Sequence, residues 1–281
     1  MRSIPPDFDA GCVAAIDTRL DEIGRDHEVA IPLAIESGSR AWGFPSPDSD
    51  YDCRFLFVRR EEDYLTPWPK RDVIETPLEG ELDVNGWELG KALKLLLKGN
   101  AVAIEWLMSP IVYRGDPAFR EELMALAVGF TSPHRVARHY LHLGERQRRT
   151  CFSDGKAVKL KKIFYALRPA VALRWLRLHP GEAIAPMHFP TLMRECDPPA
   201  ELLAIAEELI ARKAVTRELG VTPLPKPIEA FIDAEFALAN AVPPQRTTLA
   251  ADARQAAEAL FREWVGRLSS TQASAGAKRP A

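Results

Sequence analysis

Two aspartates and a glycine-serine pair carry the chemistry-bearing pattern of this chain. They lie in the run Ile35-Glu36-Ser37-Gly38-Ser39-Arg40-Ala41-Trp42-Gly43, followed by Phe-Pro-Ser-Pro-Asp-Ser and then Asp50-Tyr51-Asp52-Cys53-Arg54. Asp50 and Asp52 stand two apart at the start of a strand-like stretch, and a period of two puts both carboxylates on one face. Two carboxylates pointing the same way repel unless a cation lies between them. Such a hard-oxygen pair suits Mg²⁺, with Mn²⁺ as its near substitute. Asp-x-Asp alone is common on protein surfaces; the glycine-serine pair upstream gives it meaning here. A buried strand that ends at Gly38-Ser39 and opens a helix offers unpaired N–H groups to a phosphate. Glycine permits close approach, and the Ser39 hydroxyl adds a donor. Ten residues separate Ser39 from Asp50, enough to turn into a neighbouring strand and set the phosphate cradle beside the acids.

A third carboxylate would complete a two-metal site for in-line nucleotidyl transfer. Asp83, between apolar neighbours in Glu81-Leu82-Asp83-Val84, is the best candidate, with Glu81 and Glu75 behind it. Arg40 and Arg54 are placed either to contact phosphate or to pair with nearby acids. Trp42 and Tyr51 read as packing residues.

Strand patterns come early in the chain. Residues 9–27 read as an amphipathic helix, 29–36 as a buried strand, 43–50 as a turn-rich segment and 51–58 as a second strand. Short strands are expected at 72–76 and 80–85. From Trp87 the pattern is helical: Leu89 to Leu97, then 116–128, 133–150, 156–178, 199–219, 226–241 and 247–268. The expected class is therefore α+β, with a catalytic domain over 1–113, a helical and basic substrate-binding domain over 114–268, and a disordered tail over 269–281.

The core segment resembles the signature of the DNA polymerase β-like nucleotidyltransferase superfamily: Gly-Ser, about ten residues, Asp-x-Asp, then a later strand acid. The wider text is similar to the nucleotidyltransferases linked to RNA-repair ligases, the RlaP-like family. It includes Gly38-Ser39-Arg40-Ala41-Trp42-Gly43, Ser49 through Phe55, Glu81 through Val84, Glu105-Trp106-Leu107-Met108-Ser109-Pro110 and Lys161 through Pro169, and the likeness extends over roughly 30–240. It implies a polymerase-β-type mixed sheet with flanking helices, NTP as substrate, Mg²⁺ as cofactor, and roles for Gly38, Ser39, Asp50, Asp52 and Asp83.

The net charge of −2 hides an asymmetry. Residues 133–178 hold twelve lysines and arginines against two acids, Glu145 and Asp154; that segment carries +10 and the remainder −12. Arg135, Arg138, His142, Arg146 and Arg149 recur at three- and four-residue steps and share a helix face, as do Lys161, Tyr165 and Arg168. A charge run is usually a solvated face, but few acids balance this one, which points to a polyanion partner. The first group is expected to track a nucleic-acid backbone and the second to reach the triphosphate. An RNA end is the expected acceptor and an RNA ligase a possible partner. Two readings compete: transfer to a protein or small molecule, and a non-catalytic nucleotide- or RNA-binding partner of a ligase. Arg135 and His142 also show an Arg-x₆-His spacing found in helical ribonucleases, a short and common match.

Hydrophobic residues make up 47% and charged residues 27% of the 281-residue chain, a globular composition. No apolar run approaches the ~18 residues of a membrane helix, and the N-terminus lacks a signal-peptide core. The expected location is cytoplasmic. The cysteines Cys12, Cys53, Cys151 and Cys196 are scattered without a CxxC pair, and the histidines show no HExxH, so neither a zinc site nor a disulfide framework is expected.

Overall fold

The structure of the protein is a computed structural model. It describes residues 1–152, 158–215, 221–222, 224–244 and 248–276, without the side chains at 151–152, 158–161, 221–222 and 270–276.

Helix α1 (Ala10–Asp26) starts where the Asp9 carboxylate accepts from the Cys12 N–H at 2.8 Å, and it buries Ile16, Leu20 and Ile23. Strand β1 (Val29–Glu36) follows, then a single turn of helix, α2 (Gly38–Trp42), and β2 (Tyr51–Arg59). A 3-10 turn at Glu61–Tyr64 leads to β3 (Val73–Glu75) and β4 (Leu82–Glu88). Helices α3 (Leu89–Leu97) and α4 (Ala101–Met108) are capped by Glu88 and Asn100, and β5 (Val112–Gly115) returns to the sheet. The five strands lie in the order β3-β4-β2-β1-β5; β2 is parallel to β4 and antiparallel to β1, so the sheet is mixed.

The period of two sorts β2 and β4 by face. Tyr51, Cys53, Phe55 and Phe57, with Val84, pack on the α1 side. Leu56, Val58 and Trp87 join the core on the other side. Asp52 and Arg54, and likewise Asp83 and Asn85, share the parity of this second face. Gly86 on β4 leaves the room that the Phe55 ring fills; a Cβ there would lie 2.2 Å from the ring.

The helical part consists of α5 (Pro117–Phe130), α6 (Pro133–Phe152), α7 (Leu160–Leu178), α8 (Phe189–Glu195), α9 (Ala200–Val215), α10 (Lys226–Ala241) and α11 (Ala251–Gly276). Helices α6 and α7 pack along one another, with α10 against both. One apolar core contains Leu33, Ile35 and Leu56 of the sheet together with Phe164, Ile228 and Trp264, so the division expected near residue 113 is not a gap in the packing. Strands β6 (Val158–Lys159) and β7 (Val221–Thr222) pair as a two-residue ladder that the sequence did not signal. Helix α11 extends beyond residue 268 as far as Gly276, where a tail was expected; residues 277–281 lie outside the described part. No helix among the described residues is long and apolar enough to cross a membrane.

Candidate active site

Asp52 and Asp83 are direct partners in the parallel β2–β4 register, and Arg54 and Asn85 are the next pair on the same face. The Arg54 guanidinium joins the two acids: its Nη2 donates to Asp52 Oδ1 at 3.1 Å and to Asp83 Oδ2 at 2.6 Å, while Nη1 donates to the Asp83 carbonyl at 2.8 Å. Asn85 Nδ2 donates to Asp83 Oδ1. Both Asp83 oxygens are thus held, whereas Asp52 Oδ2 accepts no hydrogen bond among the described residues. That oxygen faces the bend. Gly38 has φ +62°, and a Cβ built on it would lie 1.9 Å from Asp52 Oδ2. Only glycine leaves this space open.

Asp50 precedes the strand and is exposed. Its negative charge, with that of Asp83, helps raise the Asp52 pKa; burial is the larger cause, and Arg54 opposes it. Two carboxylates, Asp52 and Asp83, thus meet at one corner of the sheet with a single guanidinium between them, and Asp50 adds negative charge from just before β2. Among the described residues, no group of three or more His, Cys, Asp or Glu side chains is placed to hold a metal ion. The donor set nevertheless fits a hard divalent cation: oxygen atoms, crowded negative charge, one carboxylate oxygen without a partner, and a glycine gap beside it.

Behind the acids lies Glu36, wholly buried at the end of β1. Its Oε1 accepts from the Asp52 N–H at 2.9 Å, its Oε2 accepts from the Tyr113 hydroxyl at 2.5 Å, and its carbonyl accepts from Ser109 Oγ at 2.6 Å. Burial pushes the Glu36 carboxyl up to about 8, and the Asp52 charge adds to the rise; the hydrogen bonds from Tyr113 and the Asp52 N–H oppose it. The sequence reading passed over Glu36, although a lone carboxylate closing the apolar run Val29–Ile35 is a signal.

A cleft of about 370 Å³ opens from Gly38 and Asp52 toward the helices. Trp42, Trp87, Trp106 and Tyr165 line it, with Leu143 and Gln147 of α6. Trp87 and Trp106 stack with centroids 3.9 Å apart, and Tyr165 meets Trp42 edge-on. The Trp42 Nε1 is buried and without a hydrogen-bond acceptor among the described residues. Of these aromatics, Tyr165 was expected to reach the triphosphate, and Trp42 and Trp106 lie in segments of the family resemblance, whereas Trp87 carried no motif in the sequence.

The remaining expected site residues fall in varied places. Ser39 Oγ donates to Ser49 Oγ at 2.9 Å, fastening the bend to the turn before Asp50. Arg40 donates to the Ser49 carbonyl at 2.6 Å and the Asp50 carbonyl at 3.2 Å, with its guanidinium 3.9 Å from the Tyr51 ring centroid. Arg168 is buried in the cleft wall, where Nη1 and Nη2 meet the Glu105 oxygens at 2.7 and 3.0 Å; Tyr140 donates to the same carboxylate, and the guanidinium covers Trp42. Lys161's side chain lies outside the described part. Arg135 donates to the Leu97 carbonyl at 2.8 Å, closing the end of α3. Arg138 lies 3.4 Å from His142. His142, Arg146 and Arg149 are exposed on α6. Arg146 lies about 60° around the helix from Leu143, whereas Arg149 lines a separate hollow with Arg148, Glu229 and Asp233.

The mixed sheet, the glycine-serine bend and the register-paired aspartates define a polymerase-β-like protein. The sequence matches the family described as "RlaP: RNA repair pathway DNA polymerase beta family" over residues 13–263, and the chain belongs to that family. It is also 42% identical over 217 residues to the uncharacterized protein YcgL of Bacillus subtilis (strain 168), an alignment covering 77% of this chain and 82% of that protein. Membership of the family points to a nucleotidyltransferase-type role connected with RNA repair.

Proposed function

We propose that the protein is a Mg²⁺-dependent nucleotidyltransferase that transfers NMP from an NTP to a hydroxyl of an RNA end, with release of pyrophosphate. The reading is carried by Asp52 and Asp83, opposite each other in register, with the unpartnered Asp52 Oδ2 facing the Gly38 gap. Asp52 on β2 and Asp83 on the neighbouring β4, with Asp50 just before β2, would hold the cation. When bound, the metal would neutralise phosphate charge and polarise the reacting oxygens. Gly38 lets the triphosphate approach the backbone, and Ser39 adds a hydroxyl at the same bend. Glu36 fixes the Asp52 backbone from behind. The aromatic cleft beside the acids receives the base and restricts water. Asp83 takes the proton of the acceptor hydroxyl as its oxygen bonds the α-phosphorus and the bond to pyrophosphate breaks. Positioning and charge neutralisation do most of the work in such a reaction. The exposed His142, Arg146 and Arg149 of α6 offer positive charge to a phosphate backbone, which favours RNA over a protein or small-molecule acceptor.

The test incubates the protein with each α-³²P-labelled NTP, MgCl₂, and RNA, protein or aminoglycoside acceptors. Label on RNA, lost in Asp52→Asn with a retained circular-dichroism spectrum, is the expected result. Full RNA labelling by a folded Asp52→Asn protein, or label found only on another acceptor, overturns the assignment.

A further inference from the structure

A second and larger hollow, of about 980 Å³, lies between α3 and α11, on elements other than those that carry the acids. Its floor is apolar, built from Leu93 and Leu97 of α3 with Ala257 and Phe261 of α11, and Leu249 stands 43% exposed at its edge. Its rim is cationic: five lysines and arginines line the hollow against one carboxylate, Glu258. Arg254 and Arg262 share that carboxylate, at 2.8 and 3.5 Å. Lys94 and Lys98 are exposed, one helical turn apart, and form no ion pair among the described residues.

We propose that this groove binds an acidic amphipathic helix of a partner protein. A groove with walls of helix and an apolar floor receives a further helix through residues at i, i+3 or i+4, and i+7. The nine residues of α3 give a trough about 13 Å long, enough for roughly two and a half turns of ligand. Leucines on the ligand would cover Leu249 and Phe261, above the buried Leu93 and Leu97, and glutamates on its flanks would meet Lys94 and Lys98. A nucleic-acid backbone would gain the charges but would lay phosphates over leucines, at a desolvation cost. The chain's own last residues, 277–281, contain Lys278, Arg279 and no acid, so they repel this rim. A second copy would bring the same cations to the same rim.

Fluorescence anisotropy with the full-length protein tests the proposal. The probe is a labelled helix of about 16 residues, with leucines at i, i+4, i+7 and i+11 and glutamates beside them. Controls are the same composition with the leucines out of phase, the same helix with lysine for glutamate, and oligouridylate of equal charge. Saturable binding of the acidic in-phase helix alone is expected, weakened about tenfold by Lys94→Glu/Lys98→Glu. Both positions are exposed, and unchanged circular dichroism checks that this variant folds. The proposal is overturned by absence of binding, by equal binding of the out-of-phase peptide, by indifference to the double substitution, or by displacement of the peptide with oligouridylate.

Discussion

Replacing Glu36 by Gln should change the pH dependence of stability more than its value at acid pH. In the unfolded chain this carboxyl titrates near 4.5; in the fold it is pushed up to about 8. A raised carboxyl pKa means that the folded state holds the proton after the unfolded state has lost it. Its contribution is therefore complete below pH 4.5, falls as pH rises, and levels off above 8. At 1.36 kcal/mol per unit, the full window corresponds to about 5 kcal/mol, and the part reached by pH 7 to about 3 kcal/mol. Glutamine keeps an oxygen for the Asp52 N–H and presents an NH₂ to the Tyr113 oxygen, but it cannot ionise. Any cost of the exchange itself is independent of pH, so the slope is diagnostic. Urea unfolding of both proteins at pH 5, 6, 7 and 8 with EDTA should show Glu36→Gln gaining on the wild type at each step, by 1 kcal/mol or more per unit at the steepest. Parallel stability curves across that range would refute the burial argument for Glu36.

Gly38→Ala places a Cβ on Asp52 Oδ2 at a φ of +62° and should abolish NTP labelling of RNA while leaving the circular-dichroism spectrum intact. Arg168→Met leaves the Glu105 carboxylate buried without its ion-pair partner and should cost about 3–5 kcal/mol in urea unfolding. Arg146→Glu/Arg149→Glu should weaken single-stranded RNA binding and flatten its salt dependence by about 1.4 in the log–log slope if both residues contact phosphate, with NTP binding unchanged in equilibrium dialysis.

What the sequence exposed and what it hid divide along the range of the interactions. Strands at 29–36 and 51–58 and the helix at 226–241 are readable because their signals are local: apolar runs, turn residues and a 3.6 period. The approach of Gly38 to Asp52 follows from a short strand-turn-strand excursion and was open to the same reading. The identity of Asp83 as the acid opposite Asp52 required a register that only the parallel pairing of β2 with β4 supplies. Arginines were the hardest residues to place. Arg168 belongs to a helix face that looked available for phosphate, yet its partner Glu105 lies 63 positions earlier and no periodicity announces it. Arg135 belongs to the regular basic stripe of α6, yet it closes α3, 38 positions away. The ladder of β6 and β7 escaped because two residues cannot display a period of two.

These arginine assignments bear on how a triphosphate could be held. Arg40 is committed to the Ser49 and Asp50 carbonyls, Arg54 to two aspartates, and Arg168 to Glu105. Each stabilises the frame of the site and would have to break these hydrogen bonds to turn to a phosphate, at the highest cost for Arg168, whose pair with Glu105 is buried. The cleft itself is lined by Asp52 and Glu105 together with Arg54 and Arg168, so its acids and arginines offset one another beside the aromatic surface. Among the described residues the arginines that line the cleft are already paired with acids, and on the proposed reading a divalent cation entering with the nucleotide would add positive charge at the unpartnered oxygen of Asp52 beside the glycine gap.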